Sequence, residues 1–483
     1  MSKDSQALTL SDGELDNRQG TIVAYAQTRL TTGQIAGNDG LIIHSQALDN
    51  TEGQLQSAAE LTVDTQGQTL TNQQGVIATN TQATLTTGTL DNTKGLIAGN
   101  SGLTLRSQAL DNTEGILQSV ADLTVDTHGQ TLINQQGMIA ANAQTTLTTG
   151  HLNNTTGQIA GNGGLNIHSQ ALDNTEGKLQ SAANLTVDTQ GQKFTNQQGR
   201  VAAEGFVQLH SGELDNHQGH VQGGSKLEID TGAVQLINRQ GTLLSAGTTN
   251  IPPRALDNQQ GQLQSVGDVS LRAAGQVNNH DGLIRGGQAL SIGTETFINS
   301  AMQAKDKGIE ANHLLLTAKT LNNTVGAIRT DIAQELHIHE SVDNNRGLIS
   351  SADRLMVTDN QKSSLKIHNL DGTFIAGKQG QIQAESLSGD GQILSQGDMD
   401  ISLKQAFDNQ KTVAANGNLR LHSAAGVTNH HHIKAGDTLE LNTPQVNNTQ
   451  AAEISAAHTH IETDNLLNHR LIDGESTSVR VGG

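Results

Sequence analysis

The chain has 483 residues, a formal net charge of −19, no Cys, no Trp, 53 Gly, 3 Pro and only 1% aromatic residues. Without clustered Lys and Arg, that acidic balance excludes a nucleic-acid or anionic-membrane binder, because phosphate contacts need a basic stripe. Zero Cys removes disulfides and thiolate-held metals and fits a long exported chain that stays unfolded in transit, and the shortage of aromatics favours a thin core of Leu, Ile and Val over a bulky globular one.

The opening residues Met1-Ser2-Lys3-Asp4-Ser5-Gln6 do not start a signal peptide, and no apolar run approaches the ~18 residues that span a bilayer. From Leu15-x-Asn17 onward, an apolar residue followed two positions later by Asn recurs twenty-two times, once with Gly replacing Asn. The series continues through Leu48/Asn50, Leu70/Asn72, Leu90/Asn92 and Leu110/Asn112, and ends at Leu466/Asn468. In clean copies a Gly follows three residues after the Asn and an aliphatic residue two after that, as in Leu90-Asp91-Asn92-Thr93-Lys94-Gly95-Leu96-Ile97. A second apolar pair follows, such as Leu61/Val63, Leu103/Leu105 or Leu123/Val125. Self-similarity at this period marks a solenoid. A larger repeat lies over it: the Asn spacings run 22, 20, 20, and residues 47–108 and 109–170 agree at 45 of 62 positions. A third copy starts at Ala171 and diverges after Gln198.

Each unit reads as short stretches of period-two alternation separated by Gly, Asn, Thr and Asp, which are strand and turn signals. In the copy from Leu48, the pattern points Leu55 inward in one strand, Leu61 and Val63 in a second, and Leu70 in a third. Three short strands per ~20 residues give an all-β chain, a parallel β-helix (solenoid) of about 22 coils, and stacking at ~4.8 Å makes a rod of roughly 105 Å. Leucine-rich repeats share the period but require several Leu on one line and a helical or extended convex segment. The recurring Asn, whose amide both donates and accepts, predicts an internal ladder beside a tight turn, and the Gly three residues on is expected to supply a positive φ.

The breaks come in chain order. Between Asn17 and Asn50 a heptad equivalent to His151–Gly157 is missing, which predicts a truncated or distorted coil. Ile251-Pro252-Pro253 falls where other coils carry a strand, so the ladder is expected to break there. Long spacings from Asn299 to Asn323 and from Asn344 to Asn369 predict outward loops near Lys305-Asp306-Lys307 and Asp359-Asn360-Gln361-Lys362. After Gly372 the Gly is mostly lost, and in Asn409–Val413, Asn429–Ile433 and Asn468–Ile472 the aliphatic residue arrives one position early, so a shortened turn would no longer need Gly. The organisation that follows is a regular repeat region over 1–350 with a three-coil super-repeat, and variant coils with shortened turns over 351–483.

Signals for chemistry are weak. Asp49, Asp91, Asp111, Asp173, Asp215 and Asp257 recur with the repeat and read as a solvated stripe beside the Asn row, not as a catalytic cluster. His337-x-His339, His458-x-His460 and His430-His431-His432 place alternate His on one strand face but lack a fixed third ligand, so they read as surface His. Thr-rich segments such as Thr84–Thr87 and Thr145–Thr149 recur once per 62 residues, too seldom for the continuous array of an ice-binding face. Calcium nonapeptides, phosphate loops and nucleophile elbows are absent. No catalytic, cofactor-binding or metal residue is assigned, no cofactor is expected, and the chain reads as a non-enzyme.

The motif Leu-Asp-Asn-Thr-Glu-Gly-x-Leu-Gln-Ser at 48–57, 110–119 and 172–181, followed by Leu-Thr-Val and Leu-x-Asn-x-x-Gly-x-Ile-Ala, resembles the haemagglutinin repeats of filamentous haemagglutinin-like exoproteins. The resemblance covers residues 8–350 well and 351–470 more loosely. It implies a right-handed parallel β-helix, secreted or held at the bacterial cell surface, that is passed unfolded through an outer-membrane two-partner transporter and meets a receptor on a host or target cell. The function it implies is a structural and adhesive stalk of a virulence-associated adhesin. Two other readings stay open: the stalk of a contact-dependent growth-inhibition effector, and a polysaccharide-active β-helix enzyme with a carboxylate-lined cleft around 299–370. The chain ends at Val481-Gly482-Gly483 without an evident toxin domain, and a segment of a larger gene is the expectation.

Overall fold

The computed structural model describes the backbone of residues 8–11, 14–16, 21–23 and 27–31, and backbone with side chains over 33–300, 306–359 and 364–482. The described residues form 64 strands and no helix, in a parallel β-solenoid of about 22 turns with ~20 residues per turn. The chain divides into two compact units, Met1–Ala246 and Gly247–Gly483.

In the first unit each coil contributes one strand to each of three stacks, as with Ala47–Asp49, Gln54–Ser57 and Leu61–Asp64. The first stack sets Leu48 beside Leu70 and Leu90, the second Leu55 beside Ile77 and Ile97, and the third Leu61 and Val63 beside Ala83 and Leu85. All of these are at most 2% exposed, and so the period-two pattern placed Leu55, Leu61, Val63 and Leu70 correctly. About four aliphatic side chains per coil leave water, each contributing roughly 1.5–3 kcal/mol, so each coil depends on its neighbours for a core.

The Asn row is an interior ladder. Asn134 is fully buried; its Nδ2 donates to Asn154 Oδ1 at 2.7 Å, to the Gly137 carbonyl at 3.2 Å and to the Gln158 carbonyl at 3.2 Å. The same relation joins Asn50 to Asn72 at 2.6 Å and Asn216 to Asn238 at 2.8 Å. In the regular coils the Asn begins a tight turn closed by the N–H of the Gly three residues on, as Gly137 donates to the Asn134 carbonyl at 3.1 Å.

The positive φ in this turn does not belong to the Gly, which corrects the expectation. It sits one residue earlier, at Glu52 (56°), Lys94 (56°), Glu114 (54°) and Gln136 (55°). Gly is required for closeness instead: a Cβ on Gly137 would lie 2.2 Å from the Asn112 carbonyl oxygen and 2.6 Å from Asn134 Oδ1. The alternation of 22 and 20 residues comes from a different turn. Between the third and first stacks the longer coils insert segments such as Asp126–Gln130, where His128 and Gly129 adopt φ of 53° and 77° and the His128 N–H is capped by Asp126 at 2.8 Å.

The start of the chain departs from the regular pattern, and the coil there is distorted, as one of the two expected outcomes had it. Leu15 pairs with Ile35, in the second stack, so Leu15-x-Asn17 is not in register with the ladder; Asn17 itself lies outside the described residues, as do Met1–Gln6. The coil lacking a heptad is not truncated: Thr28 pairs with Leu48, Ile35 with Leu55 and Leu41 with Leu61. The segment 27–31 has been recruited into the first stack, with Gln27, Thr28 and Arg29 beside Ala47, Leu48 and Asp49. Asn50 Oδ1 is buried without a hydrogen-bond partner, as befits the first rung of the ladder.

In the second unit the ladder runs from Asn258 through Asn279, Asn299, Asn323 and Asn344 to Asn369, at 2.7–2.9 Å per step. It stops at Gly389, whose φ is 101° and whose added Cβ would lie 2.6 Å from the Asn369 carbonyl carbon. The strands of the first stack then restart as a separate four-stranded sheet containing Phe407–Asn409, and a new ladder joins Asn409 to Asn429, Asn448 and Asn468. Among the described residues Asp371 is the last non-Gly residue with positive φ, so the shortened turns that follow need neither the left-handed residue nor its Gly.

At the Pro pair the ladder breaks locally, as expected, and the strand before it is kept. Thr248–Ile251 keeps its strand and pairs through Ile251 with Leu271; the prolines stand past its end, where the Pro253 carbonyl still accepts from the Ala274 N–H at 3.2 Å. Of the two expected loops, Lys305 and Asn360, Gln361 and Lys362 lie outside the described residues. Between them the corners straighten into strands of 15 and 17 residues, Gly308–Asn322 and Ala327–Asp343, which pair with register shifts. In the second of these Gln334 takes a core position beside Leu314 and Leu355, fully buried, with neither amide atom hydrogen-bonded.

Candidate functional surface

The Asn and Asp residues that recur with the repeat are used by the architecture. Asp111 Oδ1 accepts from the N–H and Oγ1 of Thr113 at 2.9 and 2.6 Å; Asp49, Asp91, Asp173, Asp215 and Asp257 cap the same turn. The Asp row is therefore a set of turn caps, half-buried or buried, and not the solvated stripe that was expected. In the stretch 299–370 Glu310 pairs with Arg285, Glu335 lies 3.3 Å from Arg354, and Asp343 caps the Asn345 N–H at 3.2 Å.

The His groups are dispersed. His337 Nε2 lies 3.7 Å from Glu335, and His458 Nδ1 lies 2.9 Å from Ser476 Oγ. His430 Nε2 lies 3.1 Å from Asp408, and His432 Nδ1 3.4 Å from Glu453. Burial of the His432 ring, with His431 and Lys434 beside it, holds its pKa below the ordinary His value despite Glu453. The Lys434 ammonium is hydrogen-bonded to Glu453 at 2.9 Å and holds that carboxyl low. Among the described residues no three His, Asp or Glu converge on a point that would hold a metal ion.

What remains for recognition is the exterior. The outward residues of the second stack form a straight line in strict register: Gln34 beside Gln54, then Val76, Leu96, Ile116 and Met138. The line continues through Gln158, Lys178, Arg200 and His220. The four aliphatic residues are half-buried, while Lys178 and Arg200 are exposed. Beside the basic end a groove of about 610 Å³ passes over Gln180, Ser181, Ala202 and Gln222, with Arg200 and Glu204 at its sides. This line escaped the sequence reading because its members stand 20 or 22 residues apart. Comparing copies could have found it: at 54, 116 and 178 the three copies carry Gln, Ile and Lys within otherwise shared surroundings.

The haemagglutinin-repeat profile matches residues 4–52, 51–127, 118–192, 177–243, 234–358, 334–443 and 400–480, which tile the chain. The chain belongs to the haemagglutinin-repeat family. No curated protein and no solved structure matches it. For this haemagglutinin-repeat chain the repeat is a coil of three strands whose signature residues, Leu, Asn, Asp and Gly, all serve stacking and turns. Haemagglutinin repeats on a β-solenoid fit an adhesin-like stalk, and the family implies a secreted or surface location. Among the described residues no helix is long and apolar enough to cross a membrane.

Proposed function

We propose that the chain is the structural and adhesive stalk of a large bacterial haemagglutinin, secreted or displayed at the cell surface and exported by two-partner secretion. The observation that supports this reading most is the use of the repeat's Asn and Asp side chains in ladders and caps, which leaves contact to the outer faces. Nearest-neighbour stacking suits export, because each coil that emerges from an outer-membrane transporter adds to the one before it, and a chain without Cys meets no oxidative trap on the way. The regular repeats of 1–350 form the stem, and the variant coils of 351–483 continue it with tighter turns. Backbone ladders supply stiffness, while the outward residues supply contacts to a receptor on a host or target cell.

The test is binding of the purified, labelled chain to host and bacterial cells. Saturable binding that is competed by unlabelled chain is expected, together with no turnover of acidic or neutral polysaccharides. Absence of saturable binding, or release of oligosaccharides by the chain, would overturn the reading.

A further inference from the structure

We infer that the outward line of the second stack is a self-recognition surface, on which two copies of the chain associate face to face in antiparallel orientation. The line is nearly palindromic. In register order it reads Gln34, Gln54, Val76, Leu96, Ile116, Met138, Gln158, Lys178, Arg200, and Glu14 precedes it as the register partner of Gln34. A two-fold axis between the Leu96 and Ile116 coils sets Leu96 against Ile116 and Val76 against Met138, each twice. It also sets Gln54 against Gln158 and Gln34 against Lys178. One place further, the register position of Glu14, an acidic residue, falls opposite that of Arg200, a basic one.

Three observations favour a second copy over an unrelated partner. This register is the one that pairs all four aliphatic positions, and it closes the apolar centre at both ends with amides, which can hydrogen-bond to each other. The next outward positions on the same strands are Gln56, Ala78, Ala98, Gln118, Ala140 and Ala160. The same axis sets Ala78 against Ala140 and each Gln against an Ala, Gln118 against Ala98 and Gln56 against Ala160, which leaves room for two sheets to approach at the usual ~10 Å. A parallel arrangement is disfavoured, because it would set Lys178 against Lys178 and Arg200 against Arg200. The line is about 45 Å long and about 10 Å wide, so pairing buries roughly 900 Å² over both copies, below the usual specific interface. The association is therefore weak and reversible.

Sedimentation of the full chain over a range of concentrations should show a reversible monomer–dimer equilibrium. Leu96→Glu, an outward substitution that should leave the circular dichroism spectrum unchanged, should weaken it by at least about tenfold by setting a carboxylate against Ile116. Orientation is read by cross-linking, since the chain has no Cys of its own. A mixture of Val76→Cys and Met138→Cys chains should form disulfide-linked dimers at least about tenfold faster than either variant alone, because like positions on two antiparallel copies lie about 14 Å apart. A monomer at every concentration would overturn the proposal and leave the line to some other partner. Val76→Cys chains that cross-link with each other as readily as with Met138→Cys chains would overturn the antiparallel pairing.

Discussion

The Cβ that Gly157 lacks would fall 2.1 Å from the carbonyl oxygen of Asn134, in the preceding coil, and 2.6 Å from Asn154 Oδ1. The residue before it, Thr156, carries the left-handed strain with a φ of 55°. Closeness and strain are thus divided between neighbours, and that division yields the first prediction. Gly157→Ala should destabilise by about 2–4 kcal/mol, because the atoms it meets are a backbone carbonyl and a ladder amide with no room to move. Thr156→Gly should change stability by within about 1 kcal/mol, relief of left-handed strain being offset by the entropy of Gly. Urea denaturation followed by circular dichroism compares the two.

The interior of the ladder should be more sensitive than its first rung. Asn134→Ala removes two ladder bonds and leaves the Oδ1 of Asn154 buried without its donor, at about 1–3 kcal/mol, while Asn112 Nδ2 keeps the Gly115 and Met138 carbonyls. Asn50→Ala removes a single ladder bond, to Asn72, and should cost less. Asn134→Asp, which buries a charge without a cation, should cost more than either. Hydrogen exchange should accelerate at residues 112–158 for the two Asn134 variants, most for Asp, and by less at residues 50–76 for Asn50→Ala.

Gln334 is a polar side chain in an apolar stack. With both amide atoms buried and unpartnered between Leu314 and Leu355, Gln334→Leu should stabilise the second unit by about 1–3 kcal/mol. The gain should appear as slower hydrogen exchange at residues 314–355.

Acid should loosen the coils around residue 432 in two steps. The folded pKa of His432 is depressed by burial, so the unfolded chain binds the extra proton first, and stability falls as pH drops below the ordinary value of 6.5. Glu453 is depressed by its bond to Lys434, so its contribution is present above 4.5 and is lost as pH falls further. Both groups are partly exposed, which keeps each step small through solvent screening. Thermal unfolding measured from pH 7 to 4 should show both limbs, and His432→Asn should remove the upper one.

The architecture was legible because Leu55, Leu61, Val63, Leu70 and each Asn recur with the coil, so one copy's environment is every copy's environment. Local geometry was less so. A Gly at a fixed place in a turn is compatible with either a positive φ or a close approach, and only coordinates separate Gln136 from Gly137. Register without a motif was harder still: Leu15-x-Asn17 matches the repeat pattern, yet strand pairing puts Leu15 beside Ile35. The outward line was invisible in one-dimensional order, since Leu96 and Ile116 become neighbours only when coils stack.

In the first unit 62 residues make three rungs. Spin labels at Gln66 and Gln190, exposed and equivalent positions 124 residues apart in the first unit, test this by pulsed electron–electron resonance, without interference from native thiols. Six rungs of ~4.8 Å predict a narrow distance distribution centred near about 29 Å. A broad distribution, or a centre displaced by more than about two rungs, would contradict the solenoid and all that is built on it.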